Sequence, residues 1–272
     1  NKLPTAYLLT GMRGTGKTTT ARLIAAAINC KKNFIEGEEC NSAEYCSCRE
    51  IRDSKMLDCQ EIDGATATGI DKIRELIDSS RYAPTSANYK VVILDECHQI
   101  SRAGISGLLK TLEEPPPKFL WILSTSEPQK IPLTIQSRVQ RFDLHPVPIS
   151  DLLAHLKNIT KMENGKISEG ALKLISKAAR GSVRDSLSLL QRAFSEEGEV
   201  DETFIKKNML GIADRSKILS LLKFIFQGDQ KKSIDLLREV ANEGVQPTNF
   251  LNALLEMIYF IQQKKSLGNF DS

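Results

Sequence analysis

Gly11-Met12-Arg13-Gly14-Thr15-Gly16-Lys17-Thr18 follows the apolar run Ala6-Tyr7-Leu8-Leu9-Thr10 and opens into Thr19-Thr20-Ala21-Arg22-Leu23-Ile24-Ala25-Ala26-Ala27-Ile28. The order is strand, glycine loop, helix, and the spacing G-x-x-x-x-G-K-T is that of a P-loop. The glycines let backbone N–H groups wrap a phosphate, a lysine reaches the terminal phosphates, and a hydroxyl holds Mg²⁺. Lys17 and Thr18 take those last two roles here. The helix that follows adds the positive end of its dipole beneath the same anion.

A second chemical signal lies downstream. Lys90-Val91-Val92-Ile93-Leu94 is a run of β-branched and aliphatic residues that ends in Asp95-Glu96. It reads as a parallel strand buried on both faces, with its acids emerging at the carboxyl edge, where ligands bind in such sheets. Behind a P-loop this is a Walker B element. Asp95 would hold Mg²⁺ and Glu96 would polarise the water that attacks the γ-phosphate.

The rest of the first half continues the alternation. Leu57–Asp63 reads as a strand, with Cys59 as buried packing, and Ile70, Ile73, Leu76 and Ile77 recur at helical spacing. The helix from Ser101 to Glu114 is stopped by Pro115-Pro116-Pro117, and the strand Phe119–Ser126 is tipped with hydroxyls. Strand and helix in turn predict a doubly wound α/β sheet over residues 1–146. From 147 the pattern is helical throughout, with a small helical domain over 147–199 and further amphipathic helices over 200–272.

Composition bounds the function classes. Of 272 residues, 41% are hydrophobic, enough for two or three small cores, and the net charge of +3 is too small to announce nucleic-acid binding by itself. No apolar run reaches the length of a membrane span and no signal segment opens the chain, so a cytoplasmic protein is expected. Cys30, Cys40, Cys46 and Cys48 cluster within a short insertion over residues 30–48. Thiols this close in a reducing compartment suggest a structural Zn²⁺ site, although C-x9-C-x5-C-x-C lacks the usual C-x2-C chelate. The first residue is Asn, and a piece of a longer protein is expected.

Several further motifs carry a resemblance. They are Leu-Asp-Glu-Cys-His at 94–98, Leu-Leu-Lys-Thr-Leu-Glu-Glu-Pro-Pro at 108–116, Pro-Gln-Lys-Ile-Pro at 128–132, Gln-Ser-Arg at 136–138 and Gly-Ser-Val-Arg-Asp-Ser-Leu-Ser-Leu at 181–189. Together with the P-loop and the cysteine insertion, the chain resembles the gamma/tau family of bacterial DNA polymerase III clamp loaders, which are AAA+ ATPases. The resemblance implies a P-loop AAA+ core, a helical lid and part of a helical collar domain. It implies that Gly11, Arg13, Gly14, Thr15, Gly16, Lys17, Thr18 and Thr19 contact ATP. Ser126 falls at the sensor-1 position, Arg184 at sensor 2, and Arg138 at the arginine finger that acts on a neighbour's ATP. The implied catalytic set is Lys17, Asp95, Glu96 and Arg138, with Mg²⁺ on Thr18 and Asp95.

The implied partners are the other subunits of a hetero-pentamer, a sliding clamp and primer–template DNA, with no membrane. The implied work is ATP-driven clamp loading during replication, as a component of DNA polymerase III, a DNA-directed DNA polymerase and so a nucleotidyltransferase complex. Three departures stand out. The residues given are expected to lack the family's N-terminal adenine-holding segment, the cysteine spacing differs from C-x2-C-x2-C, and Cys97 replaces the usual Val or Ala. The collar also reads as cut short. A different AAA+ DNA-remodelling ATPase, or an assembly subunit that binds nucleotide with little hydrolysis, remains open on the residues alone.

Overall fold

A computed structural model describes residues 4–30, 46–52, 56–66, 70–195, 200–205, 209, 215–242 and 247–267. They divide into two compact units. One is residues 1–147 with Ser182–Arg184, and the other is 148–181 with 185–272.

The first unit is built on five parallel strands, β1 (Ala6–Thr10), β2 (Cys59–Asp63), β3 (Lys90–Asp95), β4 (Phe119–Thr125) and β5 (Gln140–Asp143), in the order β2-β3-β4-β1-β5. Strand β2 begins two residues later than the sequence reading placed it, because Leu57 and Asp58 form the turn that delivers it. The central strands are buried on both faces, which is why β3 and β4 read as unbroken apolar runs rather than alternating ones.

Strand periodicity sends alternate residues to two cores. Val92, Leu94, Leu8 and Trp121 face Ile73 and Leu76 of α3 (Ile70–Ser80) and Leu108 and Leu112 of α4 (Arg102–Glu113). Val91, Ile93, Leu9 and Ile122 face Ala21, Ala25 and Ala26 of α1 (Lys17–Ile28) and Ile51 of α2 (Ser47–Arg52). The small alanine face of α1 lets that helix lie close against the sheet. Each large aliphatic side chain fully buried here contributes about 1.5–3 kcal/mol.

Because β1 lies between β4 and β5 while the chain runs outward to β2 and back, the carboxyl ends of β1, β3 and β4 sit side by side. The register pairs Thr10 with Thr125 and Leu94 with Leu123. The P-loop, the acidic pair and the hydroxyl-tipped strand therefore open onto one edge. The short α5 (Leu133–Gln136) precedes β5.

The second unit is helical. In α6 (Ile149–Met162), α7 (Glu169–Ala178) and α8 (Val183–Phe194), the residues Leu156, Leu172, Ile175, Leu190 and Ala193 meet in one core. Ser168 caps α7 by accepting from the Ala171 N–H at 3.2 Å, and Val183 and Arg184 at the start of α8 group with the first unit. After the one-turn α9 (Glu202–Phe204), α10 (Arg215–Gln227), α11 (Gln230–Asn242) and α12 (Pro247–Leu267) gather around Ile218, Leu221, Leu222, Val240 and Phe250. Among the described residues no helix is long and apolar enough to cross a membrane.

Candidate functional site: the P-loop and the acidic corner

The loop after β1 is shaped by glycines whose backbone other residues resist. Gly14 sits at φ +81°, and a Cβ there would come within 2.1 Å of Ser182 Oγ. Its carbonyl accepts the Val183 N–H at 2.9 Å, so within the first unit the loop is tied to Val183 and lies beside Arg184. Glycine at position 16 leaves the first-turn N–H groups of α1 without a side-chain cap, and they remain available to an anion. Helix α1 begins at Lys17.

Lys17 is buried, 5% exposed, and its ammonium donates back to the carbonyls of Gly11 and Met12 at 3.0 and 3.1 Å. It lies 3.9 Å from Glu96 Oε1. Thr18 Oγ1 donates to Asp95 Oδ2 at 2.7 Å, which joins the P-loop to the end of β3 across the sheet edge. Arg13 and Thr19 are exposed, while Thr15 folds onto the loop by donating to the Met12 carbonyl at 2.9 Å.

Asp95 is partly buried. Burial would raise its carboxyl, but hydrogen bonds from Ser124, Thr18 and the Glu96 N–H, with the Lys17 charge behind them, outweigh that and hold it below the ordinary carboxylate value. It is an anion at neutral pH, with Oδ1 taken by Ser124 Oγ and the Glu96 N–H, and Oδ2 by Thr18.

Glu96 sits in a left-handed corner, at φ 45° and ψ 47°. Residues 95 and 96 of a continued strand would point to opposite faces. The corner instead turns both carboxylates toward the P-loop, one to Thr18 and the other to Lys17. Gly64 braces it, donating its N–H to the Asp95 carbonyl at 2.7 Å, and a Cβ there would strike the Glu96 carbonyl at 2.5 Å. Oε2 of Glu96 accepts from the Ser126 N–H at 2.9 Å and the Ser126 hydroxyl at 2.8 Å. The expected sensor-1 residue therefore touches the expected base directly.

The sequence reading gave no role to Ser124 or Glu127, and it quoted His98 within its motif without using it. Ser124 is fully buried beneath Asp95, and His98 Nδ1 lies 3.4 Å from Glu96 Oε2. The hydroxyls at the tip of β4 were the available signal.

Arg138 is not drawn into this group. It ion-pairs with Glu113 at 2.7 Å and donates to the Thr134 carbonyl and Ser137 Oγ at 2.8 and 3.2 Å. That pairing is the surface arrangement sequence alone would suggest for an arginine.

Cys30, Cys46 and Cys48 converge, with all three Sγ atoms within 4.8 Å of one another; Cys46 Sγ is 3.9 Å from that of Cys30 and 3.1 Å from that of Cys48. A tetrahedral Zn²⁺ with bonds of about 2.3 Å spaces its thiolates about 3.8 Å apart, a spacing that the Cys30–Cys46 pair matches and the Cys46–Cys48 pair would have to widen to reach. The fourth expected ligand, Cys40, lies outside the described residues.

A family model described as the DNA polymerase III delta subunit matches residues 1–148. One described as the DNA polymerase III clamp loader subunit ATPase lid domain matches 151–196, and one for domain III of the gamma and tau subunits matches 203–271. The DNA polymerase III subunit gamma of Buchnera aphidicola subsp. Schizaphis graminum is 38% identical over 265 residues, covering 97% of this chain and 72% of that protein. The chain belongs to the DNA polymerase III gamma/tau family. The chain spans less than half the length of other gamma/tau members. The tau subunits of Escherichia coli and Bacillus subtilis are each 37% identical, and this chain spans 41% and 45% of their lengths. The Thermotoga maritima RuvB Holliday junction branch migration motor superposes with a TM-score of 0.54 over 81% of this chain and 68% of that one, at 19% identity. At that identity the likeness is one of fold, and the gamma/tau chain has the P-loop AAA+ architecture.

Proposed function

We propose that this chain is the ATP-binding and ATP-hydrolysing part of a clamp-loader subunit of DNA polymerase III. The observation that carries it is the meeting of Lys17, Thr18, Asp95 and Glu96 at one sheet edge, with Thr18 and Asp95 already hydrogen-bonded at 2.7 Å. The Gly11–Gly16 loop and the open end of α1 cradle the phosphates, and Lys17 turns from its loop carbonyls to the terminal ones. Thr18 and Asp95 would hold Mg²⁺, which neutralises charge on the phosphate oxygens when bound. Ser126 holds one oxygen of Glu96, leaving Oε1 to take the proton of the attacking water. Arg184, beside Gly14, reads the same nucleotide. Arg138 serves the site of a neighbouring subunit, which requires it to exchange Glu113 for phosphate.

The proposed domains are an ATPase core over 1–146, a lid over 147–199 and the start of a collar over 200–272. Exposed Leu251, Leu255, Tyr259 and Phe260 on α12 support assembly with other loader subunits through that collar. ATP binding between subunits of the hetero-pentamer opens the sliding clamp around primer–template DNA, and hydrolysis releases it closed. Zn²⁺ on Cys30, Cys46, Cys48 and Cys40 would staple the insertion. The protein works in the cytoplasm.

The test is ATP turnover by the full-length protein with its loader partners, with and without clamp and primed DNA. Stimulation by both, lost in Glu96→Gln, is expected. A rate indifferent to clamp and DNA would favour another AAA+ remodelling role, and no turnover at all would favour a subunit that only binds nucleotide.

A further inference from the structure

His98 is held more tightly than a surface histidine three residues beyond a strand needs to be. Its side chain is 7% exposed, and both ring nitrogens are engaged. Nε2 faces Glu127 Oε1 at 3.2 Å, and Nδ1 lies 3.0 Å from Thr125 Oγ1 and 3.4 Å from Glu96 Oε2. The outer contacts are themselves fixed. Glu127 donates its N–H to Thr125 Oγ1 at 3.0 Å, and its carboxylate is paired with Lys130 at 2.9 Å. With Thr125 hydrogen-bonded at Nδ1 and the Glu127 carboxylate within ion-pair range of Nε2, the imidazole cannot turn without losing a polar contact on each side.

The Nδ1 edge of that fixed ring closes the space beside Glu96 Oε2. Ser126 supplies the donors on the other side of the same oxygen. We infer that His98 is a positioning residue for Glu96: its Nδ1 edge, locked between Thr125 and Glu127, confines the carboxylate so that Oε2 stays on Ser126 and Oε1 faces Lys17. The inference rests on reading Glu96 as the base. It also explains how a short 3-10 turn, Cys97–Gln99, can hold the left-handed corner steady, since the turn is pinned through its middle side chain. Glu127 and Lys130 are the outer end of the same chain of contacts, and they anchor the ring without touching Glu96.

The two amide isosteres separate the ring's edges. Asparagine puts a polar atom where Nδ1 sits, next to Glu96 and Thr125, whereas glutamine reaches the Nε2 position and Glu127. The assay is MgATP turnover by the full-length protein in its loader assembly. MgATP affinity and thermal midpoint are measured on the same preparations. His98→Gln should lower kcat about 10-fold or more with KM within about twofold, a loss in the range a small misplacement of a reacting group produces. His98→Asn should stay within about threefold of the parent kcat, because the contact that confines Glu96 is kept. Equal losses in the two variants, or parent kcat in His98→Gln, would overturn the inference. So would a loss confined to KM or to the thermal midpoint, which marks a merely structural histidine. Glu96→Gln run alongside keeps the two ideas apart. Undiminished turnover there would remove Glu96 as the base, whereas its collapse beside an unaffected His98→Gln removes only the positioning role.

Discussion

Asp58 is the residue whose replacement tests the architecture of the site most directly. It lies just before β2 and is 3% exposed. Its carboxylate accepts the N–H groups of Thr85, Ser86 and Ala87 at 3.0, 2.8 and 3.0 Å, while its carbonyl accepts the Val91 N–H at 2.8 Å. One side chain thus shapes the segment that delivers β3 and the acidic corner. Asp58→Ala takes the shared acceptor away from three amide donors, on the partly buried Ala87 and the exposed Thr85 and Ser86. At about 1 kcal/mol for each lost hydrogen bond, the loss is about 3 kcal/mol. For a chain of this size that lowers the melting temperature by about 6–12 °C. Asp58→Asn keeps an acceptor for Ser86 and Ala87 and should lose about half as much.

The pH dependence has a definite sign. Burial pushes the Asp58 carboxyl up, but the three N–H bonds and the nearby Lys90 charge prevail and hold it below the ordinary 3.8. A depressed carboxyl stabilises the fold at neutral pH and loses that contribution as pH falls through its folded value. The gap between parent and Asp58→Ala should therefore be constant above about pH 5 and close in acid below 3.8. Urea titrations followed by circular dichroism from pH 7 to pH 3 read both quantities. A loss below about 0.5 kcal/mol at pH 7, or a gap that widens in acid, would refute the claim that this carboxylate clamps the loop.

Three further outcomes are expected. Gly14→Ala must fit a Cβ 2.1 Å from Ser182 Oγ at φ +81°, so MgATP affinity, measured by titration calorimetry, should fall at least about 10-fold while the sheet stays folded. Cys46→Ser should lower zinc content measured by plasma mass spectrometry, and chelation should cost the parent protein stability but leave this variant unchanged. Burial, reinforced by Glu96, pushes the Cys97 thiol up to about 12, so iodoacetamide at pH 8 should leave it unmodified in the folded protein while labelling it in urea.

Much of this molecule is legible in the chain because its signals are local. The P-loop is a contiguous strand, turn and helix, and β3 and β4 are unbroken apolar runs because helices cover both faces of the sheet. Position along the chain gave Asp95 and Glu96. What position could not give is the company they keep. Ser124 sits under Asp95 because β4 happens to be the neighbour of β3, and strand order is not written in any one segment. Asp58 bonds amides nearly thirty residues away, and nothing in Leu57-Asp58-Cys59 distinguishes it from a solvated turn residue. Arg138 shows the reverse limit. Its motif points to a role on another subunit, whereas within one chain its charge is satisfied by Glu113.

The left-handed corner at Glu96 has a consequence for anyone transplanting this chemistry. A strand with Asp-Glu at its tip, grafted onto another parallel sheet, would present one acid to each side and assemble nothing. The transferable unit is the pair of acids, the backbone bend between them, and the glycine at position 64, just past the end of the neighbouring strand β2, that makes room for the bend. A non-glycine residue in that conformation carries roughly 1–2 kcal/mol of strain. Glycine at position 96 would relax the bend and remove the carboxylate with it. The local discomfort of the chain and the usefulness of the site are therefore located in the same residue.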